Sequence, residues 1–190
     1  MRGIYAFIVV TLDGFYEGPN QEFDWPVVDA EFNRFATAQL NDTDMLLFGR
    51  KTYELMAAYW PTPAARDDDP DVTERMNGMP KVVFSTTLET TGWNNTRLVG
   101  GDVAEEVARL KEQPGRDLAI LGSPNLTASL VRMGLVDELR IMVNPVALGS
   151  GRSLFRSLDD QLHLRLLQTR TFSSGNVLLT YRPLDAAPGG

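Results

Sequence analysis

Residues 45–57 read M-L-L-F-G-R-K-T-Y-E-L-M-A. Met45 to Phe48 form an apolar run that is short and does not alternate, which predicts a strand buried on both faces. Gly49 follows as a turn, and Arg50, Lys51 and Thr52 open a predicted helix. Two cations in the first turn of a helix sit at the positive end of its dipole, a placement that costs a few tenths of a kcal/mol or more. A bound anion would offset that cost, because the free N–H groups of a helix N-terminus suit phosphate.

Working outward, the same strand–turn–helix grammar repeats. "IYAFIVV" (4–10), "KVVFS" (81–85) and "LAIL" (118–121) are further unalternating runs. Phe32, Phe35, Ala36 and Leu40 fall at helical spacing, as do Val103, Val107 and Leu110, and Leu126, Leu130 and Met133. Asp102 with Glu105 predicts a capping box. Ser123 before Pro124 reads as N-cap and first helical residue, and Gly134 stops that helix with Leu135 packing back. The last third changes period. Leu139, Ile141 and Val143 alternate with polar residues, as do Leu162, Leu164 and Leu166, and "TFSSGNVLLTY" predicts a hairpin turning at Ser174–Gly175. The stretch 61–71 is predicted to be a polar loop whose aspartates are solvated, with cation binding as the rarer alternative. No repeat or linker divides the chain. The expectation is one α/β domain over 1–183 and a flexible tail over 184–190.

Composition removes several function classes. The chain has 190 residues, 43% hydrophobic and 23% charged, enough for a full core. It has no cysteine, so thiol catalysis, disulfides and thiolate zinc sites are excluded. A formal net charge of −7 argues against nucleic acid as a partner. The N-terminal apolar run ends at Asp13–Gly14 without a small-residue cleavage pattern, so it reads as a buried strand and not a leader. No stretch reaches the ~18 apolar residues of a membrane span. A cytoplasmic location is expected. The single histidine, His163, alternates with Leu162 and Leu164 and is expected to face solvent.

In an open α/β sheet, ligands bind beyond the carboxyl ends of the strands. Three such ends lead into polar turns: Gly49-Arg50-Lys51-Thr52, Ser85-Thr86-Thr87 and Gly122-Ser123. Pro124 removes one N–H at the third turn, while Asn125 and Leu126 keep theirs. Three turns of this kind suggest a ligand with several phosphates, such as a dinucleotide. The alternative is ordinary strand–helix joints carrying surface charges.

The sequence resembles the dihydrofolate-reductase-like fold, in the branch of the reductase domain of the riboflavin-biosynthesis deaminase/reductase. The resemblance rests on "VTLDGFYEG" (10–18), "FGRKTYELM" (48–56), "KVVFSTTLE" (81–89), "LAILGSPNLTASLVRMGLVDEL" (118–139) and "NPVALGSGRSLF" (144–155), in that order, across residues 2–183. It implies a three-layer α/β/α fold with a mixed, mainly parallel sheet and a C-terminal antiparallel hairpin. It implies an NADPH-dependent oxidoreductase acting on a pterin or a riboflavin-precursor pyrimidine, with a non-enzymatic nucleotide-binding module as the alternative. A homodimer through the C-terminal strands also follows from it. No metal is implied, and no deaminase zinc motif precedes the domain.

By the same resemblance, Gly49, Arg50, Lys51 and Thr52 would hold the cofactor's pyrophosphate and 2′-phosphate. Ser85, Thr86 and Thr87 would flank the adenosine ribose, and Gly122, Ser123, Asn125 and Leu126 would meet the pyrophosphate. Val10, Thr11 and Gly14 would border the nicotinamide. Gly122-Ser123 departs from the family's Gly-Gly pair. At the catalytic end, "FDWPVVDAEF" offers Trp25 and then Asp29, with Glu31 nearby. Asp29 is expected to recognise a pterin-like ring or supply a proton, or else to cap a helix. Asp13 of "TLDG" is the second acid, or a turn residue. Trp25, Phe32 and Trp60 are expected to line the substrate cleft, with core or rim as the alternative for Trp60 and Trp93. "LGSGRSLF" is a glycine-permitted bend or a turn for a phosphorylated substrate.

Overall fold

The structure is a computed structural model that describes residues 1–156 and 161–184. Its strands are β1 (Ile4–Thr11), β2 (Phe15–Glu17), β3 (Thr43–Gly49), β4 (Lys81–Phe84), β5 (Thr96–Val99), β6 (Asp117–Leu121), β7 (Glu138–Asn144), β8 (Arg152–Ser153), β9 (Leu164–Thr171) and β10 (Val177–Pro183). Its helices are α1 (Ala30–Asn41), α2 (Arg50–Tyr59), α3 (Pro63–Asp68), α4 (Pro70–Gly78), α5 (Val103–Glu112) and α6 (Pro124–Arg132).

Eight strands form one sheet in the order β5-β4-β3-β6-β1-β7-β10-β9. The first six run parallel; β10 is antiparallel to β7, and β9 to β10. β2 and β8 pair separately. The unalternating runs lie in the middle of this sheet for a physical reason: both faces are covered, so both faces must be apolar. Tyr5 and Phe7 of β1 join Leu46, Phe48, Leu40, Tyr53, Val72 and Met76 on the α1, α2 and α4 side. Ile4 and Ala6 join Leu47, Ile120, Val107, Leu110, Leu126 and Leu130 on the α5 and α6 side.

Helix ends follow their caps. Asp102 accepts the amides of Ala104 and Glu105 at the start of α5. At the end of α6, Leu135 N–H reaches Leu130 O (2.9 Å) and Gly134 N–H reaches Val131 O (3.0 Å), the paired bonds of a Schellman stop. The stretch 61–71 corrects the sequence expectation. It is not a loop but two helices, each beginning at a proline whose preceding residue caps it: Thr62 accepts Ala65 N–H, and Asp69 accepts Val72 N–H. Asp68 accepts the Tyr59 hydroxyl at 2.5 Å, and no acidic or histidine cluster suited to a metal occurs among the described residues. His163 is exposed, as expected. The expected tail falls outside the described residues except for Leu184, whose amide donates to His163 O at 2.9 Å.

One feature of the register positions the site. β1 pairs with β6 only as far as Phe7–Leu121, where Gly122 N–H closes onto Phe7 O at 2.9 Å. With β7 it continues through Thr11–Asn144. Ile8 to Thr11 therefore run on past the end of β6. This opens the carboxyl edge of the sheet between the ends of β3 and β6 on one side and β7 and β10 on the other.

Candidate cofactor site and acceptor side

Neighbouring β3 and β6 bring the turns at Gly49 and Gly122 side by side. The chain locks them together. Ser123 Oγ accepts the Gly49 amide at 3.1 Å, and the Ser123 amide donates to Thr52 Oγ1 at 3.1 Å. Ser123 occupies the N-cap position of α6, as the sequence predicts, but its side chain makes no capping bond to that helix. Its hydroxyl is turned to the neighbouring turn. Gly122 (φ +64°) and Ser123 (φ +47°) are both left-handed. Glycine accepts that region freely; serine does so at a cost of about 1–2 kcal/mol. All peptide bonds among the described residues are trans.

Gly49 is different. Its φ of −81° suits any residue. A Cβ there would meet only Leu126 Cβ, at 3.7 Å, an ordinary contact. Neither torsion nor packing within the chain requires glycine there, and the missing side chain leaves the turn open to close approach. No side chain caps α2. Lys51 is exposed. Arg50 extends along the helix, and its Nη1 lies 3.1 Å from both carboxylate oxygens of Glu54. Part of the Arg50 charge is thus already balanced. Asn125 is exposed and Leu126 is buried in the core.

The Ser85-Thr86-Thr87 turn flanks the Gly49 turn, since β4 adjoins β3. Ser85 Oγ shapes its own turn by accepting Thr87 N–H (3.1 Å) and Leu88 N–H (2.9 Å), while Thr86 and Thr87 are exposed. The three polar turns named from sequence therefore share one edge of the sheet.

Across the β1 overhang the chain is built differently. Val10 and Thr11 are buried. Thr11 Oγ1 donates to Asp13 Oδ1 at 2.5 Å and accepts Phe15 N–H at 3.0 Å. Asp13 also accepts Gly149 N–H (2.7 Å) and Leu148 N–H (3.2 Å), so it ties the turn at Gly14 to the 145–151 bend. The Thr11 hydroxyl and then the Gly149 amide hold its carboxyl below the usual carboxylate range. Gly14 has φ +86°.

Residues 23–28 cross the ends of β7 and β10 as a strap held at one residue, Val27. Asn144 Oδ1 accepts Val27 N–H at 2.8 Å, and Asn176 Nδ2 donates to Val27 O at 3.0 Å. Both asparagines are buried. Trp25 sits in this strap, edge-to-face with exposed Phe23 at 5.4 Å. Trp25 Nε1 and Asn176 Oδ1 are buried without a protein partner. Asn144 and Asn176 did not stand out in the sequence; the signal was an asparagine at a strand end before proline and another after a glycine turn.

Asp29 is the N-cap of α1, its Oδ1 accepting Phe32 N–H at 2.8 Å. Phe32 packs on Phe7 and Phe35 at the core's edge. Glu31 faces the hairpin and accepts the Ser173 amide (2.9 Å) and hydroxyl (2.8 Å). Trp60 lies away from the cofactor turns and packs against the same core cluster as Phe32 and Phe35. It is the C-cap of α2, a helix length of about 15 Å from Gly49, with its indole N–H 3.0 Å from Met56 Sδ. Trp93 is core, stacked near Tyr53 and Phe48. A separate open groove of about 310 Å³, lined by Asn33, Arg34, Thr37 and Asp69 among others, includes none of the turn residues.

The sequence profile of the RibD C-terminal domain matches residues 2–178. The chain belongs to the RibD C-terminal domain family. A relative of similar length, the uncharacterised YyaP of Bacillus subtilis (strain 168), is 37% identical over 180 residues, covering 95% of this chain and 94% of YyaP. The fold is also that of a Thermotoga maritima diaminohydroxyphosphoribosylaminopyrimidine deaminase/5-amino-6-(5-phosphoribosylamino)uracil reductase (TM-score 0.69, 15% identity, 96% of this chain and 57% of that one). It matches Enterococcus faecalis dihydrofolate reductase complexed with NADP(H) as well (TM-score 0.63, 14% identity, 96% and 97%). This member of the RibD C-terminal domain family therefore has the dihydrofolate-reductase-like fold expected from its motifs. None of its described helices is long and apolar enough to cross a membrane.

Proposed function

We propose that this protein is an NADPH-dependent reductase that transfers hydride to a small heterocycle of pterin or riboflavin-precursor pyrimidine type. The observation that carries the reading is the locked pair of turns at Gly49 and Gly122, set beside the open overhang of β1. Gly49, Lys51, Arg50 and Thr52 would hold the cofactor phosphates, with Gly122, Ser123, Asn125 and Leu126 on the neighbouring turn and Ser85, Thr86 and Thr87 at the adenosine end. The site fits such a group: an uncapped helix start, a glycine with room over it, and cations in the first turn favour a polyanion. Bound there, NADPH supplies the hydride. The chain's own part is placement. Val10, Thr11 and Gly14 border the ring at the overhang. Trp25 and Phe32 face the acceptor, and Asp29 or Asp13 supplies a proton. Trp60, packed against the same cluster as Phe32, would line the cleft from the end of α2.

The capping bond of Asp29 favours a second reading, a nucleotide-binding module without chemistry. The Asp29 carboxylate is engaged as a cap, and the Asp13 carboxylate is held by the Thr11 hydroxyl and the Gly149 amide. Titration with NADPH and NADH, followed by cofactor oxidation in the presence of dihydrofolate and of the riboflavin-precursor pyrimidine, separates the two readings. Pairing of two copies through edge strand β9, which exposes Leu166 and Leu167, and a cytoplasmic location belong to the same proposal. Sedimentation and fractionation test them.

A further inference from the structure

The two sides of the overhang differ in charge. No lysine, arginine or histidine occurs between Arg2 and Arg34, while Asp13, Glu17, Glu22, Asp24, Asp29 and Glu31 all fall in that interval. This interval supplies the end of β1, the turn after it and the strap over β7 and β10. The other segments at that edge, 144–151 and 172–176, carry no charged residue. Among the described residues, two cations reach the acidic interval from elsewhere, and each is taken by one of its carboxylates: Arg152 by Glu17 at 2.9 Å and Arg170 by Glu31 at 3.5 Å. Arg170 also lies over the Phe172 ring at 4.4 Å, which fixes it further. Asp13, Glu22, Asp24 and Asp29 have no cationic partner among the described residues. Leu12, Phe23 and Val28 are exposed in the same segments, and the unpaired buried polar atoms there, Trp25 Nε1 and Asn176 Oδ1, belong to neutral groups.

We infer that the acceptor is an unphosphorylated, neutral or cationic flat heterocycle with an apolar flank, and that a phosphorylated analogue is rejected. The inference rests on the reductase reading for which side takes the cofactor. A phosphate needs cations or free amides. On the acceptor side it would meet a surplus of carboxylates, and like charges brought together across an interface repel. The cations at Arg50 and Lys51 lie on the opposite side, at the turns assigned to the cofactor.

The test uses a matched pair, 5-amino-6-ribosylaminouracil with and without its 5′-phosphate, titrated against the full chain by tryptophan fluorescence, alone and with saturating NADPH. At low salt the unphosphorylated member should bind at least about tenfold tighter, which corresponds to about 1.4 kcal/mol. The ratio should shrink as salt rises, because repulsion between exposed charges is screened beyond a Debye length of about 10 Å at 0.1 M. Asp24→Lys should narrow the ratio by strengthening the phosphorylated member. Equal or tighter binding of the phosphorylated member by the wild-type chain overturns the inference, as does binding of neither member. A preserved ratio in a protein that does not bind NADPH overturns the reductase reading alone.

Discussion

Ser123 Oγ accepts the backbone amide of Gly49 at 3.1 Å, joining the first residue before α6 to the first residue before α2. The bond fixes the spacing of two helix N-termini, and with it the geometry any polyanion would meet there. Ser123 is 3% exposed and left-handed, so its position combines a backbone cost with a hydrogen bond that offsets it. Ser123→Ala should keep the backbone cost and strand the Gly49 amide, losing about 1–3 kcal/mol of stability. Ser123→Gly should lose less, since glycine takes φ +47° freely. Urea denaturation of the three proteins orders them; an alanine variant as stable as wild type would show that the bond contributes nothing.

Gly49→Ala separates packing from ligand approach. The backbone and the surroundings accept a methyl group, so stability should hold or rise by about 0.4–1 kcal/mol. NADPH affinity should fall about tenfold or more if phosphate rests on this turn, a loss of about 1.4 kcal/mol. Thermal melts and a cofactor titration on one preparation read both quantities. Unchanged affinity would move the phosphates away from Gly49.

Asp29→Asn and Asp29→Ala divide capping from chemistry. Asparagine caps nearly as well as aspartate, so Asp29→Asn should stay close to wild-type stability while Asp29→Ala loses about 1 kcal/mol. If Asp29 supplies the proton, Asp29→Asn should lower turnover about a hundredfold or more. Full turnover in Asp29→Asn would leave the residue as a cap and transfer the proton to Asp13 or water.

Lys81 gives the fold a pH signature away from the site. It is 1% exposed, and its ammonium donates to the carbonyls of Met79 (2.7 Å), Asn94 (3.1 Å) and Asn77 (3.2 Å), 4.4 Å from the Trp93 ring. Burial pushes it down from 10.5 to about 8. Between those values the unfolded chain binds the extra proton, so stability should rise with pH across that window through this group, by at most about 1.4 kcal/mol per unit. In Lys81→Met that rise should vanish. Denaturation midpoints from pH 7 to 10 in both proteins measure it.

The parts of the fold legible in the sequence are those where one physical demand dominates. β1, β3, β4 and β6 are covered on both faces, and their apolar runs say so. The Schellman stop at Gly134 was equally plain. Helices α3 and α4 were hidden by their polarity, although Thr62-Pro63 and Asp69-Pro70 repeat the cap–proline signal read correctly at Ser123-Pro124. At Ser123 the position was legible but not the bond, because the partner, Gly49, is 74 residues away and only the adjacency of β3 and β6 brings it near. The asparagines that grip Val27 were silent for the same reason.

The most direct test of the account is an equilibrium titration of the wild-type chain and Arg50→Ala with NADPH and NADH. The account predicts saturable binding that favours NADPH. Arg50→Ala should weaken NADPH more than NADH, since the 2′-phosphate is the difference between them, while the exposed Arg50–Glu54 pair costs only about 0.3–0.5 kcal/mol of stability when lost. No binding of either cofactor at millimolar concentration would contradict it.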